Sequence, residues 1–111
     1  MIYDRLLILC RLDPTAPAIP GRLEELGDHY CAPMEVYHKR YFEALQAGVN
    51  VDSMVRIPDH VSPPGELYAI PEDGLVYRVV QLQTGWDENS LPVTTLSLSR
   101  TDRRFEIYKK E

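Results

Sequence analysis

Cysteines and long apolar runs are scarce in this sequence, and each shortage disfavours a class of protein. Only two cysteines, Cys10 and Cys31, occur among 111 residues, too few for the disulfide framework of a small secreted domain. The apolar run near the start, Leu6–Cys10, is five residues long, whereas a membrane-spanning helix needs about 20. No signal-peptide pattern opens the chain. We therefore expect a cytosolic protein with reduced, buried thiols and no membrane contact.

Positive charge is also in short supply. The formal net charge is -5 at pH 7, so the chain as a whole repels a phosphate backbone, and nucleic-acid binding through overall charge is disfavoured. The exception is a basic C-terminal end at residues 100–111, which we interpret as a solvated tail. Its basic residues are Arg100, Arg103, Arg104, Lys109 and Lys110.

Motifs for catalysis are missing. The sequence contains neither a GxSxG nucleophile elbow nor a glycine-rich loop for phosphate. Paired carboxylates occur at Glu24–Glu25 and Asp87–Glu88, but both pairs lie in loop-like stretches, where we expect them to be solvated. His29 and Cys31 would share one face of a strand, yet no CxxC or HExxH spacing accompanies them. We expect no enzymatic activity, no cofactor and no metal.

Length and patterning predict one mainly β domain spanning residues 1–111. Short extended segments follow one another with turns between them, which favours antiparallel pairing in a small barrel or sandwich of about six strands. A proline-rich loop follows the first strand, Asp73-Gly74 marks a hairpin turn, and Leu96 and Leu98 face inward. The predicted strands are Ile2–Leu12, Asp28–Tyr37, Ser53–Ile57, two strands around the turn at 71–74, Val93–Arg100 and a short last strand within 103–110.

One short α-helix is predicted in the connection between the second and third strands. In KRYFEALQAG, apolar residues repeat at i, i+3, i+4 and i+7, and Gly48 is suited to the C-terminal end of a helix. Phe42 lies at the margin of this stripe, so we expect its side chain to point away from the core. The stripe consists of Tyr41, Ala44, Leu45 and Gly48.

The helix and its neighbouring strands resemble a pattern of phage head-closure proteins, also called head–tail joining, adaptor or connector proteins. That family shows a strand, here ending MEVY, then an aromatic pair with an acidic residue, an alanine, and a glycine before the next strand. Its later hairpin carries a glycine followed by YRV, as in DGLVYRVVQL, and its final strand is similar to VTTLSLS. The resemblance spans residues 2–98, and its first motif falls on Tyr41, Phe42, Glu43, Ala44 and Gly48.

The resemblance implies a structural protein in the neck of a tailed bacteriophage virion, assembled in the host cytoplasm. Family members are small β-barrels that form a ring below the portal and its adaptor, retain the packaged DNA and dock the tail. The implied partners are further copies of the chain, which is expected to be monomeric when isolated, the portal or adaptor protein, and a tail-completion or tail protein. DNA would pass through the ring without sequence-specific binding, which an acidic chain favours.

The resemblance assigns the connection between the second and third strands to subunit contacts or to the channel. Two other interpretations remain: a tail-completion or other neck protein of the same virion, and a small barrel that binds single-stranded nucleic acid or a ligand. The last would use aromatic side chains beside cations, such as Tyr77–Arg78 and Phe105. The candidate interface residues are Phe42, Glu43, Gln46, Val49, Val51 and Arg56.

Overall fold

A computed structural model describes residues 2–15, 21–34, 51–101 and 105–109 of the chain. This part of the chain forms a mainly β fold, as the sequence predicts, with seven strands in one sheet. The strands are β1 (Arg5–Leu12), β2 (Gly21–Met34), β3 (Ser53–Ile57), β4 (Leu67–Pro71), β5 (Tyr77–Trp86), β6 (Pro92–Arg100) and β7 (Phe105–Lys109). The helix expected before Gly48 lies outside the described residues.

The sheet closes on itself because β1, the first strand in the sheet order, also pairs with β2. The strand order is β1-β4-β5-β6-β3-β2-β7, and β1 also pairs with β2. These pairs are antiparallel as expected, with one exception: β7 runs parallel to the first half of β2, from Gly21 to Glu25. Closure removes most of the unpaired strand edges that make open sheets prone to association.

The first half of β2 is the strand segment that the sequence pattern did not predict. A β-bulge lies there, because Leu9 pairs with Gly27 while Cys10 pairs with Glu25, which leaves Leu26 as an extra residue. The extra residue breaks the period-2 alternation by which strands are recognised. The segment therefore read as loop, and the predicted second strand, Asp28–Tyr37, begins too late, because β2 starts at Gly21.

The expectation that Glu24 is solvated is wrong, because this side chain is buried. Glu24 is 6% exposed and lies opposite Arg11 in the β1–β2 pair. The Arg11 guanidinium donates a hydrogen bond from Nη2 to Glu24 Oε2 at 2.7 Å. A carboxylate is rarely buried without such a partner.

The main core lies inside the closed sheet. Leu96 and Leu98 of β6 are fully buried there, as the alternation predicts. A second cluster lies on the outer face of β1 and β4, where Tyr68 packs against Phe105 with ring centroids 4.9 Å apart. The inner core comprises Leu7, Leu9, Cys31, Val55, Ile57, Ala69, Tyr77, Leu96 and Leu98, and the outer cluster is built on Cys10, Leu23 and Tyr68.

Both cysteines are buried and free, which confirms the placement of the thiols in the core. Burial raises the pKa of Cys10 from 9.0 to about 11, and the nearby Glu25 carboxylate adds to the increase. Burial is also the main cause that raises the pKa of Cys31. Both thiols are thus held in the protonated form at neutral pH.

This pKa shift predicts a loss of stability in alkali. The unfolded thiol loses its proton near pH 9 while the folded Cys10 retains it to about pH 11. The stability that the protonated Cys10 thiol contributes to the fold is therefore intact below pH 9. It decreases between pH 9 and about pH 11 and is about 1 kcal/mol smaller at pH 10. Urea unfolding of the wild type and of Cys10→Ala at pH 8 and pH 10 measures it, since the variant lacks the titrating thiol. An equal loss of stability in both proteins would contradict the prediction.

Candidate protein-interaction surfaces

The six candidate interface residues divide between described and undescribed parts of the chain. Phe42, Glu43, Gln46 and Val49 lie outside the described residues. Val51 is half-buried just before β3, and Arg56 lies within that strand. Because Val55 and Ile57 face the inner core, the alternation of a strand directs Arg56 to the outer face.

Arg56 lines a cavity of about 290 Å³ on the outer surface. Tyr3 and Leu91 also line it, together with the turn between β5 and β6. The Arg56 Nε atom is buried and has no hydrogen-bond partner in the described part of the chain. A buried donor without a partner destabilises a fold, and the described residues provide no hydrogen bond that would offset this cost at Nε.

Arg56→Met is expected to leave stability unchanged within about 0.5 kcal/mol or to increase it slightly. The methionine keeps an unbranched side chain and removes the unsatisfied Nε–H group. Thermal and urea unfolding of the purified variant measure the effect. A loss of more than about 2 kcal/mol would mean that the guanidinium stabilises the fold after all.

The β5–β6 turn forms an exposed apolar tip, which we call the hairpin tip and define as residues Trp86–Leu91. Trp86 is 68% exposed and Leu91 is 56% exposed. Asp87 holds the turn, since its Oδ1 accepts hydrogen bonds from the backbone N–H groups of Asn89 and Leu91 at 2.8 and 2.9 Å. A large exposed aromatic side chain on a rigid turn is typical of a protein-binding anchor.

Sequence reasoning missed the hairpin tip as a candidate interaction surface. The pattern GWDENSLP indicated only a loop, because the exposure of Trp86 depends on how the hairpin projects. The usable signal was the tryptophan immediately before an Asp-Glu-Asn-Ser turn. Tryptophan in such a polar setting has little core to enter and is enriched in protein interfaces.

The connection from β3 to β4 contacts the β5–β6 hairpin through His60. The His60 ring packs edge-on against Trp86, with centroids 4.8 Å apart, and His60 Nε2 donates to the Gly85 carbonyl oxygen at 2.8 Å. Buried Thr94 fastens the same connection, because its hydroxyl donates to the Asp59 carbonyl and accepts from the Val61 N–H. These hydrogen bonds fix the position of the connection next to β5.

The expected stacking aromatics for a nucleic acid are not on an open face. Tyr77 is 9% exposed and its hydroxyl donates to Asp73. Phe105 packs against Tyr68 in the outer cluster. A base-stacking platform needs exposed rings, so these two side chains do not form one.

Among the described residues, no three His, Cys, Asp or Glu side chains are placed to hold a metal ion. Within the same residues, no helix is long and apolar enough to cross a membrane.

The long connection between β2 and β3 remains the most distinctive topological feature. Met34 and Met54 are partners in an antiparallel pair, and a tight hairpin joins such strands with two to five residues. Here about 18 residues, 35–52, separate the end of β2 from the start of β3.

Comparisons of the chain with protein-family models, curated proteins and solved structures found no match.

Proposed function

We propose that this chain is a structural joining protein of a tailed-phage neck, which acts by contact and not by chemistry. It assembles as a ring below the portal or adaptor, retains the packaged DNA in the head and docks a tail protein. The observation that carries the proposal is the connection at 35–52, which is far longer than the β2–β3 pair requires and bears the sequence pattern that resembles head-closure proteins.

The remaining structure is consistent with this role. A small closed sheet is a rigid body that presents loops and turns without needing a partner to fold. Among its exposed apolar side chains, Trp86 and Leu91 lie at the hairpin tip, and Leu6 and Tyr30 are paired on the β1–β2 face. The proposal assigns the connection at 35–52 to one partner contact and the hairpin tip to another.

The proposal predicts that Phe42→Ala combined with Gln46→Ala disrupts assembly without unfolding the monomer. Both side chains are expected to point away from the domain, so their removal costs contacts between proteins and not core packing. The readout is the proportion of joined particles against separate heads and tails, counted by electron microscopy of phage that carry the double variant.

A matched control replaces an exposed aromatic side chain outside both proposed contacts, Tyr30→Ala. Thermal unfolding of all three purified proteins should agree within a few degrees. If the Phe42 and Gln46 variant gives normal necks and normal yield, the connection at 35–52 is not an interface and the proposal loses its main support.

A further inference from the structure

The sheet leaves part of one strand edge open. β4 pairs with β5 only at Tyr77 and Arg78, whereas β6 pairs with β5 along its whole length to Trp86. A bulge at Val80, between the pairs of Val79 and Gln81, marks where the neighbours of β5 change. From Val80 onward, no described strand lies against the second edge of β5.

The pairing with β6 identifies the backbone groups that this edge presents. The Asp87 N–H donates to the Leu91 carbonyl at 2.9 Å, so these residues form a hydrogen-bonded pair. Hydrogen-bonded pairs alternate with non-hydrogen-bonded pairs along an antiparallel ladder. The pairs Trp86–Pro92, Thr84–Thr94 and Leu82–Leu96 are therefore of the non-hydrogen-bonded kind, which agrees with the absence of an N–H on Pro92. Leu82 and Thr84 therefore direct their N–H and C=O groups away from β6, toward the open edge.

A groove follows this edge. Its volume is about 430 Å³, and it lies between β5 at 78–82 and the connection at Ser62–Leu67. Gln81 lines the groove, and its Oε1 atom is buried without a hydrogen-bond partner in the part of the chain that the structure describes. An extended polypeptide is the ligand that supplies N–H and C=O groups at the spacing of a strand edge.

Among the described strands, β7 also has one edge with no strand beside it. β7 pairs with β2 along one edge, and no described strand pairs with the other. Glu106 and Ile107 are exposed, Ile107 to 42%. β7 is five residues long, and the open stretch of β5, from Val80 to Trp86, is long enough to pair with all of it.

Charge favours contact between these two edges. Residues 100–111 contain five basic and three acidic residues, whereas the rest of the chain contains seven basic and fourteen acidic residues. Near the open edge of β5, Glu66 forms an ion pair with Arg78 at 3.8 Å, and Asp87 follows Trp86. Basic residues flank β7 at both ends in the sequence, at 103–104 and 109–110. The opposite net charges of the C-terminal segment and the rest of the chain favour contact between these two edges over pairing of either edge with itself.

We propose that β7 of one copy adds to the open edge of β5 in the next copy. Each subunit then uses two different edges, so the contact is heterologous and repeats from copy to copy until a ring closes. As the subunit interface of a ring, this contact rests on the proposed function. The contact itself can be tested with the purified chain alone.

Cross-linking of the full-length chain tests the contact, because it traps an association that is weak in the isolated protein. One preparation carries Gln83→Cys and another carries Glu106→Cys, two exposed positions near the middle of the two edges. The native Cys10 and Cys31 are buried, so a short bismaleimide reacts at the introduced thiols. We expect a cross-linked dimer from the mixture and none from either preparation alone.

A second substitution separates the edge contact from chance collisions. Thr84→Pro removes the open-edge N–H, and proline is tolerated on an edge, whereas Thr84→Ala keeps this N–H and serves as the control. In the Gln83→Cys background, we expect Thr84→Pro to reduce the cross-linked yield about tenfold, the effect of losing about 1.4 kcal/mol. Thr84→Ala should leave the yield unchanged.

The other outcomes overturn either this contact or the neck role, and they can be distinguished. Dimers from one preparation alone would mean that an edge pairs with itself. Slow hydrogen exchange at Leu82 and Thr84 in a monomer would mean that another segment of the same chain covers the edge. Absence of the mixed dimer while light scattering detects oligomers would place the ring contact elsewhere and leave the proposed function standing. A mixed dimer from a protein that binds no phage head would retain the contact and refute the neck role.

Discussion

Leu96→Ala is expected to lower the free energy of unfolding by about 3 kcal/mol, the middle of the range for a fully buried leucine. Leu96 is 0% exposed and lies in the inner core between β5 and β3, opposite Leu82 and Val55. The alanine removes apolar contacts and leaves a cavity that a closed sheet cannot collapse to fill. Urea unfolding at pH 7 measures the change.

Leu91→Ala is the matched control, because it makes the same chemical change at a side chain that is 56% exposed on the hairpin tip. Its stability should stay within about 0.5 kcal/mol of the wild type. Equal losses in the two variants would show that the inner core is not where the stability of the fold resides. A small loss for Leu96→Ala alone would show that the sheet relaxes around the cavity.

Arg11→Met is expected to destabilise the protein by about 2–3 kcal/mol. The substitution leaves the Glu24 carboxylate in place, with 8% of its side chain exposed, and removes the guanidinium that donates to it at 2.7 Å. Leaving a buried charge without its ionic partner costs more than the pair contributes when intact. The Arg11 side chain is 34% exposed, so solvent screening places the effect at the lower end of that range.

The double variant Arg11→Met with Glu24→Leu separates burial of a charge from loss of packing. With both charges absent, stability should return to within about 1 kcal/mol of the wild type. Urea unfolding of the two single variants and the double variant completes the cycle. If the double variant is as unstable as the sum of the single ones, the two side chains act independently and the ion pair does not organise the first half of β2.

The sequence predicted those parts of the fold where alternation is regular. Ser53–Ile57 matches β3, and Leu96 and Leu98 face inward as expected. The first half of β2 was missed because the bulge at Leu26 interrupts the alternation. The parallel pairing of β7 was missed because pairing between distant segments depends on how the closed sheet folds, which local patterns do not encode.

The candidate surfaces were less predictable than the fold. Arg56 was chosen as an interface residue from its position in the resemblance, and its unpartnered Nε became evident only from packing. The open edge of β5 results from β4 pairing with only two of its residues, and nothing in the composition of either strand indicates this. Interaction surfaces depend on which groups remain unpaired after folding, so the sequence pattern of a strand does not reveal them.

The most direct test of the joining role is DNA retention by filled phage heads that lack tails. The purified protein is added to such heads with their portal and adaptor in place, and DNA released to a nuclease is measured over time. A neck-closing protein is expected to stop the release and to remain bound to the heads, whereas a mutant lacking residues 35–50 should not. DNA release that continues unchanged in the presence of folded, wild-type protein would contradict the central claim.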